Sequence, residues 1–319
     1  MKKFLLSFTI LLGIVLTNTV FAQDFPVTVE HKFGSTTLQE KPTRVVSLGY
    51  TEQDALFALG VKPAAVRYFF GDETSAVFPW AEDAANGATP EVLNMPYGGL
   101  NYEAILALQP DLITAVDAGI TQEEYDTLSQ IAPVLAQSDE YIDFGTPWQE
   151  QVKTFAKAFG EVERGQALVS ELETKFEHAR QAHPEFAEKT VAVAYKNGGT
   201  YGFYTAQDSR ARFLEDLGFV VPEALVNLAG ESFYADLSEE RLDLLDQDLL
   251  VFLDVPFAAD GTTSFADDPL LSQLSAVKEG RVINVTGEEV DALQFGTVLS
   301  LDSLLEKLVP EIADAVDAE

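Results

Sequence analysis

The stretch RVVSLGYTEQDALFALG, Arg44–Gly60, decides the fold. VVSLGY (Val45–Tyr50) is a strand-length apolar run, and TEQDALFALG (Thr51–Gly60) carries apolar residues at helical spacing and closes at a glycine. A buried strand running straight into a helix is the elementary unit of a parallel sheet covered by helices. The unit recurs outward from this point. AAVRYFF (Ala64–Phe70) reads as the next strand, and NYEAILALQ (Asn101–Gln109) as a helix stopped by Pro110. DLITAV (Asp111–Val116) is a strand, Thr121–Ile131 a helix, and PVLAQ (Pro133–Gln137) the last strand before Pro147.

The rhythm then changes. Trp148–Phe159 places Val152, Phe155 and Phe159 at helical spacing, and Glu163–His183 carries Leu168, Leu172, Phe176 and Ala179 on one stripe. Two successive helices without a strand between them break the alternation, and the second is long enough to bridge two lobes. After Pro184 the alternation resumes, with strands at Val191–Tyr195, Asp248–Asp254 and Arg281–Val285. A helix is expected at Ser209–Leu217 and a terminal one at Thr297–Val316, bent at Pro310. The two halves echo each other: NYEAILALQPDLIT (Asn101–Thr114) aligns with SEERLDLLDQDLLV (Ser238–Val251), matching Glu103 to Glu240 and Asp111 to Asp248. LFALGV (Leu56–Val61) likewise pairs with LEDLGF (Leu214–Phe219). Two related α/β halves explain the echoes; so would generic amphipathic helix–turn–strand patterns. The expected organisation is a leader at 1–22, an N-terminal α/β lobe at 23–147, connecting helices at 148–188 and a C-terminal α/β lobe at 189–319.

Charge narrows the function. The chain of 319 residues is 47% hydrophobic and 23% charged, ordinary for a folded soluble protein. Its 20 Lys+Arg stand against 52 Asp+Glu, a net charge of −32, and the basic residues are scattered. Phosphate backbones and anionic lipid surfaces repel such a chain, so nucleic-acid binding is not expected. The absence of cysteine excludes disulfides, thiol catalysis, thiolate metal sites and lipidation at cysteine. At the start, Lys2 and Lys3 precede the apolar run FLLSFTILLGIVL and the small-residue pattern Val20-x-Ala22. This is a secretory leader, cut before Gln23. The run is short for an anchor and lacks a basic stop-transfer flank, and no later segment suits a membrane span. The mature chain is expected free in a periplasm, or secreted, with no direct membrane insertion.

The inventory of reactive groups is thin. A serine nucleophile needs a base, usually histidine. His31 precedes the first α/β strand, and His178 and His183 fall on the connecting helix, none at a strand end where an α/β active site is built. No G-x-S-x-G, P-loop or G-x-G-x-x-G pattern occurs, and Gly198-Gly199 follows a strand without the lysine–serine continuation of a phosphate cradle. No catalytic residue and no metal ligand is assigned. A secreted α/β hydrolase is the weakest alternative. What remains is aromatic and basic residues at expected strand ends: Tyr50, Arg67 with Tyr68, and Tyr97. In the second half YKNGGTYGFYT places Tyr195, Tyr201, Phe203 and Tyr204 around a glycine-rich turn, with Arg210 and Arg212 beyond. Aromatic faces with a few arginines suit a bulky, anionic or polyoxygenated small molecule. Taken singly, each aromatic is equally well core filling.

RVVSLGYTEQDALFALGVKP, NYEAILALQPDLI, the long helix, LSEERLDLLDQDLLVF and VKEGRVINV together resemble the periplasmic binding proteins of iron–siderophore ABC importers, a family that includes cobalamin and haem receptors. The likeness covers nearly the whole mature chain. Its most specific part is the unit x-L-E-x-I-x-x-L-x-P-D-L-I in each half, with Tyr102 at a usually apolar position and Gln247 in place of the second proline. DALQFGTVLSLDSLLEKLVPEI is similar to the ferric-citrate/ferric-siderophore branch, although Val290 or Ala292 stands near the place of a frequent tryptophan. The resemblance implies two Rossmann-like lobes joined by a single long helix, with the ligand cleft between them. It implies a non-catalytic, monomeric receptor that captures a ferric siderophore and delivers it to an ABC importer permease dimer. Haem, cobalamin or a bare metal ion are the same-fold alternatives. No cofactor is implied beyond the iron–siderophore ligand, whose own oxygens would hold the iron. The candidate ligand residues are Tyr50, Arg67, Tyr97, Tyr201, Tyr204, Arg210 and Arg212. By motif position Glu103 and Glu240 would dock onto permease arginines, though the helix macrodipole alone would favour a carboxylate at either place.

Overall fold

The computed structural model describes residues 25–71, 74–254 and 268–318; the leader assigned to residues 1–22 lies outside them. The described chain opens with an antiparallel hairpin, β1 (Val27–His31) and β2 (Gly34–Leu38). The first sheet follows: β3 (Val45–Ser47), β4 (Ala65–Arg67), β5 (Glu91–Leu93), β6 (Leu112–Ala115) and β7 (Val134–Ala136), all parallel in the order β5-β4-β3-β6-β7. Except for β5 these strands are buried along their whole length, as helix layers on both faces require. The second sheet contains β8 (Val191–Asn197), β9 (Thr200–Tyr204), β10 (Tyr234–Leu237), β11 (Leu249–Leu253) and β12 (Val282–Val285), ordered β10-β9-β8-β11-β12. Here β8, β11 and β12 are parallel, and β9 alone runs the other way, pairing antiparallel with β8 on one side and β10 on the other.

That antiparallel edge was not foreseen, and its cause is local. Gly198 and Gly199 both adopt left-handed backbone, with φ of 58° and 79°, and Asn197 pairs with Thr200 across them. This is the two-residue turn whose twist matches a hairpin, so the Gly-Gly pair turns a strand and cradles no phosphate. The hairpin β1–β2 and the short β5 also escaped the sequence reading; each is brief and weakly patterned.

A helix spans Val162–Ala182, one unbroken rod of 21 residues between the two sheets, roughly 30 Å long at about 1.5 Å per residue. It buries Gly165, Val169, Leu172 and Phe176 along one stripe. At Gly165 an added Cβ would lie 2.3 Å from the Ala156 Cβ, so the glycine lets the preceding helix, Trp148–Ala158, approach closely. The terminal helix runs unbroken from Val298 to Val316 with Pro310 inside it. It packs on the rod and also on the first-lobe helix Glu52–Ala58, so the end of the chain returns to the beginning. At that crossing Asp54 accepts hydrogen bonds from the Thr297 hydroxyl (2.6 Å) and the Trp80 indole (2.8 Å).

The echo between the halves has physical content. Asp111 accepts from the Thr43 amide and hydroxyl (2.8 and 2.7 Å) and the Arg44 amide (2.8 Å), tying the entry of β6 to that of β3. Asp248 accepts from the Thr190 amide and hydroxyl (2.7 and 2.8 Å), tying β11 to β8 in the same way. Burial opposes ionisation of both carboxyls, but these bonds outweigh it and hold each below the ordinary carboxylate range.

Glu52 organises the opposite end of the first sheet. Its carboxylate is buried and accepts from the Ser47 hydroxyl on β3 (3.0 Å), the Thr114 hydroxyl on β6, and the Asp117 amide (2.8 Å). Gly49 leaves the room: an added Cβ would sit 2.2 Å from the Glu52 carboxyl. Gly49→Ala should therefore cost about 1–3 kcal/mol through overpacking and displacement of this carboxylate. Urea unfolding would show it as a lowered midpoint at unchanged slope; an unaltered midpoint would refute this role for Glu52.

Candidate ligand cleft

In an open parallel sheet the ligand crevice lies beyond the carboxyl ends of the strands, where the strand order reverses. That point falls between β3 and β6, and a cavity of about 530 Å³ opens there. Tyr50 and Thr51 reach it from the end of β3, Tyr68 and Phe69 from β4, Met95 and Tyr97 from β5, and Asp117 from β6. Phe144, Thr146 and Trp148 close it from the segment leading into the connecting helices. The second lobe supplies Asp208, Arg210 and Arg212 around the start of the helix Ser209–Asp216, then Phe233, Gln294 and Phe295.

The aromatic rings form a continuous wall. Tyr97 packs on Phe144 at 5.9 Å between centroids, Phe144 on Tyr50 at 6.2 Å, and Tyr50 on Phe69 at 4.8 Å. Phe69 meets Phe295 of the second lobe at 6.4 Å, so the wall crosses from one lobe to the other. Each lobe also holds an arginine stacked on a tyrosine, in opposite order. In the first, Tyr50 faces the cavity with the Arg67 guanidinium 4.3 Å behind its ring. In the second, Arg210 faces the cavity with Tyr204 behind it at 4.1 Å.

The structure thus brings together Tyr50, Tyr97, Arg210 and Arg212 among the expected ligand residues. Arg67 is only 1% exposed, and its Nε and Nη2 donate to the Met95 and Pro96 carbonyls at 2.7 and 2.5 Å. It anchors the β5 loop that carries Tyr97 and lies behind the wall. Tyr204 supports Arg210 from behind. Tyr201 points elsewhere: side chains alternate along β9, so it emerges on the face opposite Tyr204, where its hydroxyl and Lys196 both bond Asp268 (2.7 and 2.6 Å). Tyr97 stands at the rim, 62% exposed. Residues the sequence reading passed over are Asp117, Phe144, Asp208, Phe233, Gln294 and Phe295. Only Asp117 had a legible signal, as the residue just past a buried parallel strand.

Hydrogen-bonding capacity at the cavity is unspent. The Trp148 indole Nε1, the Thr146 hydroxyl, Arg210 Nε and both amide atoms of Gln294 are buried without a partner. Unpaired buried groups cost about 1–3 kcal/mol each, which a ligand's polar atoms would relieve. Among the described residues, no group of three or more His, Cys, Asp or Glu is arranged to hold a metal ion.

Glu103 and Glu240 lie far from this chemistry. Both are exposed, Glu103 in the first turn of the helix Tyr102–Ala107 and Glu240 in the first turn of a 3-10 helix, Glu239–Leu245. The second helix is wound more tightly than its counterpart in the first lobe.

Residues 45–288 match the family described as periplasmic binding protein, and the chain belongs to that family. It is similar to the crystal structure of a periplasmic solute binding protein from Mycobacterium smegmatis, with 33% identity, a TM-score of 0.79, and coverage of 91% of this chain and 98% of that one. It is also similar to an iron-uptake protein of Streptococcus pneumoniae in complex with ferrichrome, with 29% identity, a TM-score of 0.76, and coverage of 92% and 99%. The ferric-anguibactin-binding protein of Vibrio anguillarum is 27% identical over 297 residues, 89% of this chain and 87% of the relative.

Burial raises the pKa of Asp117 to about 7, with the charges of Glu52 and Asp208 adding to the effect and the Thr51 hydroxyl bond opposing it. Burial likewise lifts Asp54 to about 6 against its bonds from Thr297 and Trp80. Both groups keep protons in the folded state at pH values where the unfolded chain has lost them. Their contribution to stability is therefore fullest at low pH and is lost as pH rises through the folded values. Tm should fall from about pH 5 to about pH 8, and Asp117→Asn should flatten the slope, as thermal unfolding followed by circular dichroism would show. A Tm rising across that interval would contradict these assignments.

Proposed function

We propose that this chain is the extracytoplasmic receptor of an iron-importing ABC system, which captures a ferric siderophore in the interlobe cavity and delivers it to a permease dimer. The observation that carries the reading is the cavity itself: aromatic rings from both lobes enclose a space bordered by unpaired donors and acceptors. Support comes from similar proteins, one named for ferric anguibactin and one holding ferrichrome. Iron enters as cargo, held by the chelator's oxygens; the protein contributes shape, aromatic faces and hydrogen bonds, and needs no cofactor of its own. The receptor acts as a monomer, free in the periplasm once the leader is cut before Gln23. It acts as a binding protein and not as an enzyme, a reading supported by its similarity to proteins named for binding. A single helical rod between the lobes absorbs little backbone rotation, so the lobes close on the ligand by a small movement.

Trp148 lines the cavity, whereas Trp80 lies one ring behind its wall, stacked on Phe78 at 4.6 Å and edge-on to the lining residue Phe295 at 5.4 Å. Titration with ferric hydroxamate, catecholate and carboxylate siderophores should give a saturable fluorescence quench with at least one class, most of it lost in Trp148→Phe. No saturable response to any class would overturn the receptor reading.

Glu103 and Glu240 present one carboxylate from each lobe to a two-fold permease whose subunits offer matching basic sites. Isolated exposed pairs contribute about 0–1 kcal/mol, but burial on docking raises the cost of losing one. Reversing both charges should leave chelate affinity intact and reduce uptake more than removing them. Uptake at the wild-type rate in the doubly reversed variant would show that docking occurs elsewhere.

A further inference from the structure

Among the described residues, the basic side chains lining the cavity are matched in number by acidic ones. They are Asp117, Asp208, Arg210 and Arg212, with no lysine among the described lining residues, and Asp117 contributes its charge as pH rises past the value of about 7 to which burial lifts it. Arg210 is already paired with Asp208 at 2.9 Å, both nearly buried. Arg212 gives Nη2 to the carbonyls of Gly145 and Gln207 at 3.0 Å each, and lies in the field of Asp208, Asp216 and Glu215. Behind the wall the balance repeats: Arg67, beneath Tyr50, is committed to two carbonyls, and Glu52 stands behind Asp117. Compensated arginines still offer donors, because a guanidinium has five N–H groups. They offer no net field for an anion, and the chain as a whole, at −32, repels one from a distance.

Resting on the receptor function proposed above, we infer that the cargo is a ferric chelate of zero or positive net charge, of the tris-hydroxamate type. Three singly charged hydroxamates cancel the charge of Fe(III), whereas three doubly charged catecholates leave the chelate triply negative. A neutral chelate enters beside Asp117 and Asp208 without bringing buried charge that nothing offsets. Its carbonyl and N–O oxygens meet the donors of Trp148 and Gln294 and the free N–H groups of Arg210, while its chain lies along Tyr50, Phe69 and Phe295. The arginines thus serve as hydrogen-bond donors to a neutral ligand, in place of the counter-charges to an anionic chelate that their sequence positions suggested.

The test is selectivity. Tryptophan quenching should be titrated with a neutral ferric tris-hydroxamate, a cationic linear ferric tris-hydroxamate and a ferric tris-catecholate, at one ionic strength and about pH 8, above the value of about 7 to which burial raises Asp117. The neutral or cationic chelate should bind at least about tenfold more tightly than the triple anion. Asp117→Asn should narrow that ratio by about threefold or more, since it removes a charge facing the anion. Equal or tighter binding of the tris-catecholate would overturn the inference and leave the receptor function standing. An unchanged ratio in Asp117→Asn would also overturn it, by showing that cavity charge does not select. Binding of none of the chelates would overturn the receptor function itself. Should Asp117→Asn fail to fold, the wild-type ratio alone decides.

Discussion

The buried carboxylate of Glu52 is the constraint on which the cleft depends. It joins the Ser47 hydroxyl on one central strand to the Thr114 hydroxyl on the other, and takes the Asp117 amide just beyond. These are the two strands between which the order of the first sheet reverses, so the carboxylate holds the floor of the crevice at a fixed width. Everything above it inherits that geometry: Tyr50 hydrogen-bonds through its amide to the Asp117 carbonyl at 3.1 Å, and its ring begins the aromatic wall. Burial pushes the pKa of Glu52 up, and the bonds from Thr114, Asp117 and Ser47 offset part of that rise. A carboxylate so placed destabilises unless its acceptors are filled, so the same hydrogen bonds that define the cleft are required by the fold.

The two lobes solve one problem in mirrored ways. Each stacks a guanidinium on a tyrosine ring, but the first shows the ring to the cavity and the second shows the cation. A ligand between them meets an apolar face on one side and a donor fork on the other. The terminal helix, crossing back to the first lobe through Asp54 and Thr297, fixes how the two faces stand relative to each other.

Much of this was legible along the chain. The buried strands near Val45, Leu112, Val191 and Leu249 were foreseen within two or three residues, because a parallel strand buried on both faces leaves a solid apolar run. The bridging helix was foreseen at Glu163–His183 and spans Val162–Ala182, because a long apolar stripe at helical spacing admits no other conformation. The strand β9 was not, because the glycines that turn β8 into it read as a loop until the partner strand is present, and β10 is a short edge strand with little apolar pattern of its own. Tyr201 was placed in the cleft and lies on the other face of β9, since a shift of one residue reverses a side chain's direction and nothing local sets which face is inward.

By itself, then, the sequence determined the buried parallel strands, the bridging helix, the echo that matches Asp111 to Asp248, and the family to which these belong, because periodicity and turn residues act over a few positions. Only the tertiary structure decided which aromatics face the ligand, that Arg67 is spent on carbonyls behind the wall, and that Phe295 meets Phe69 across the lobes. Those outcomes depend on sheet register and on residues more than two hundred positions apart closing on one cavity. Charge compensation belongs to the same class. An arginine near a strand end reads as a cation in sequence, and its partner in space settles whether any of that charge is left for a ligand.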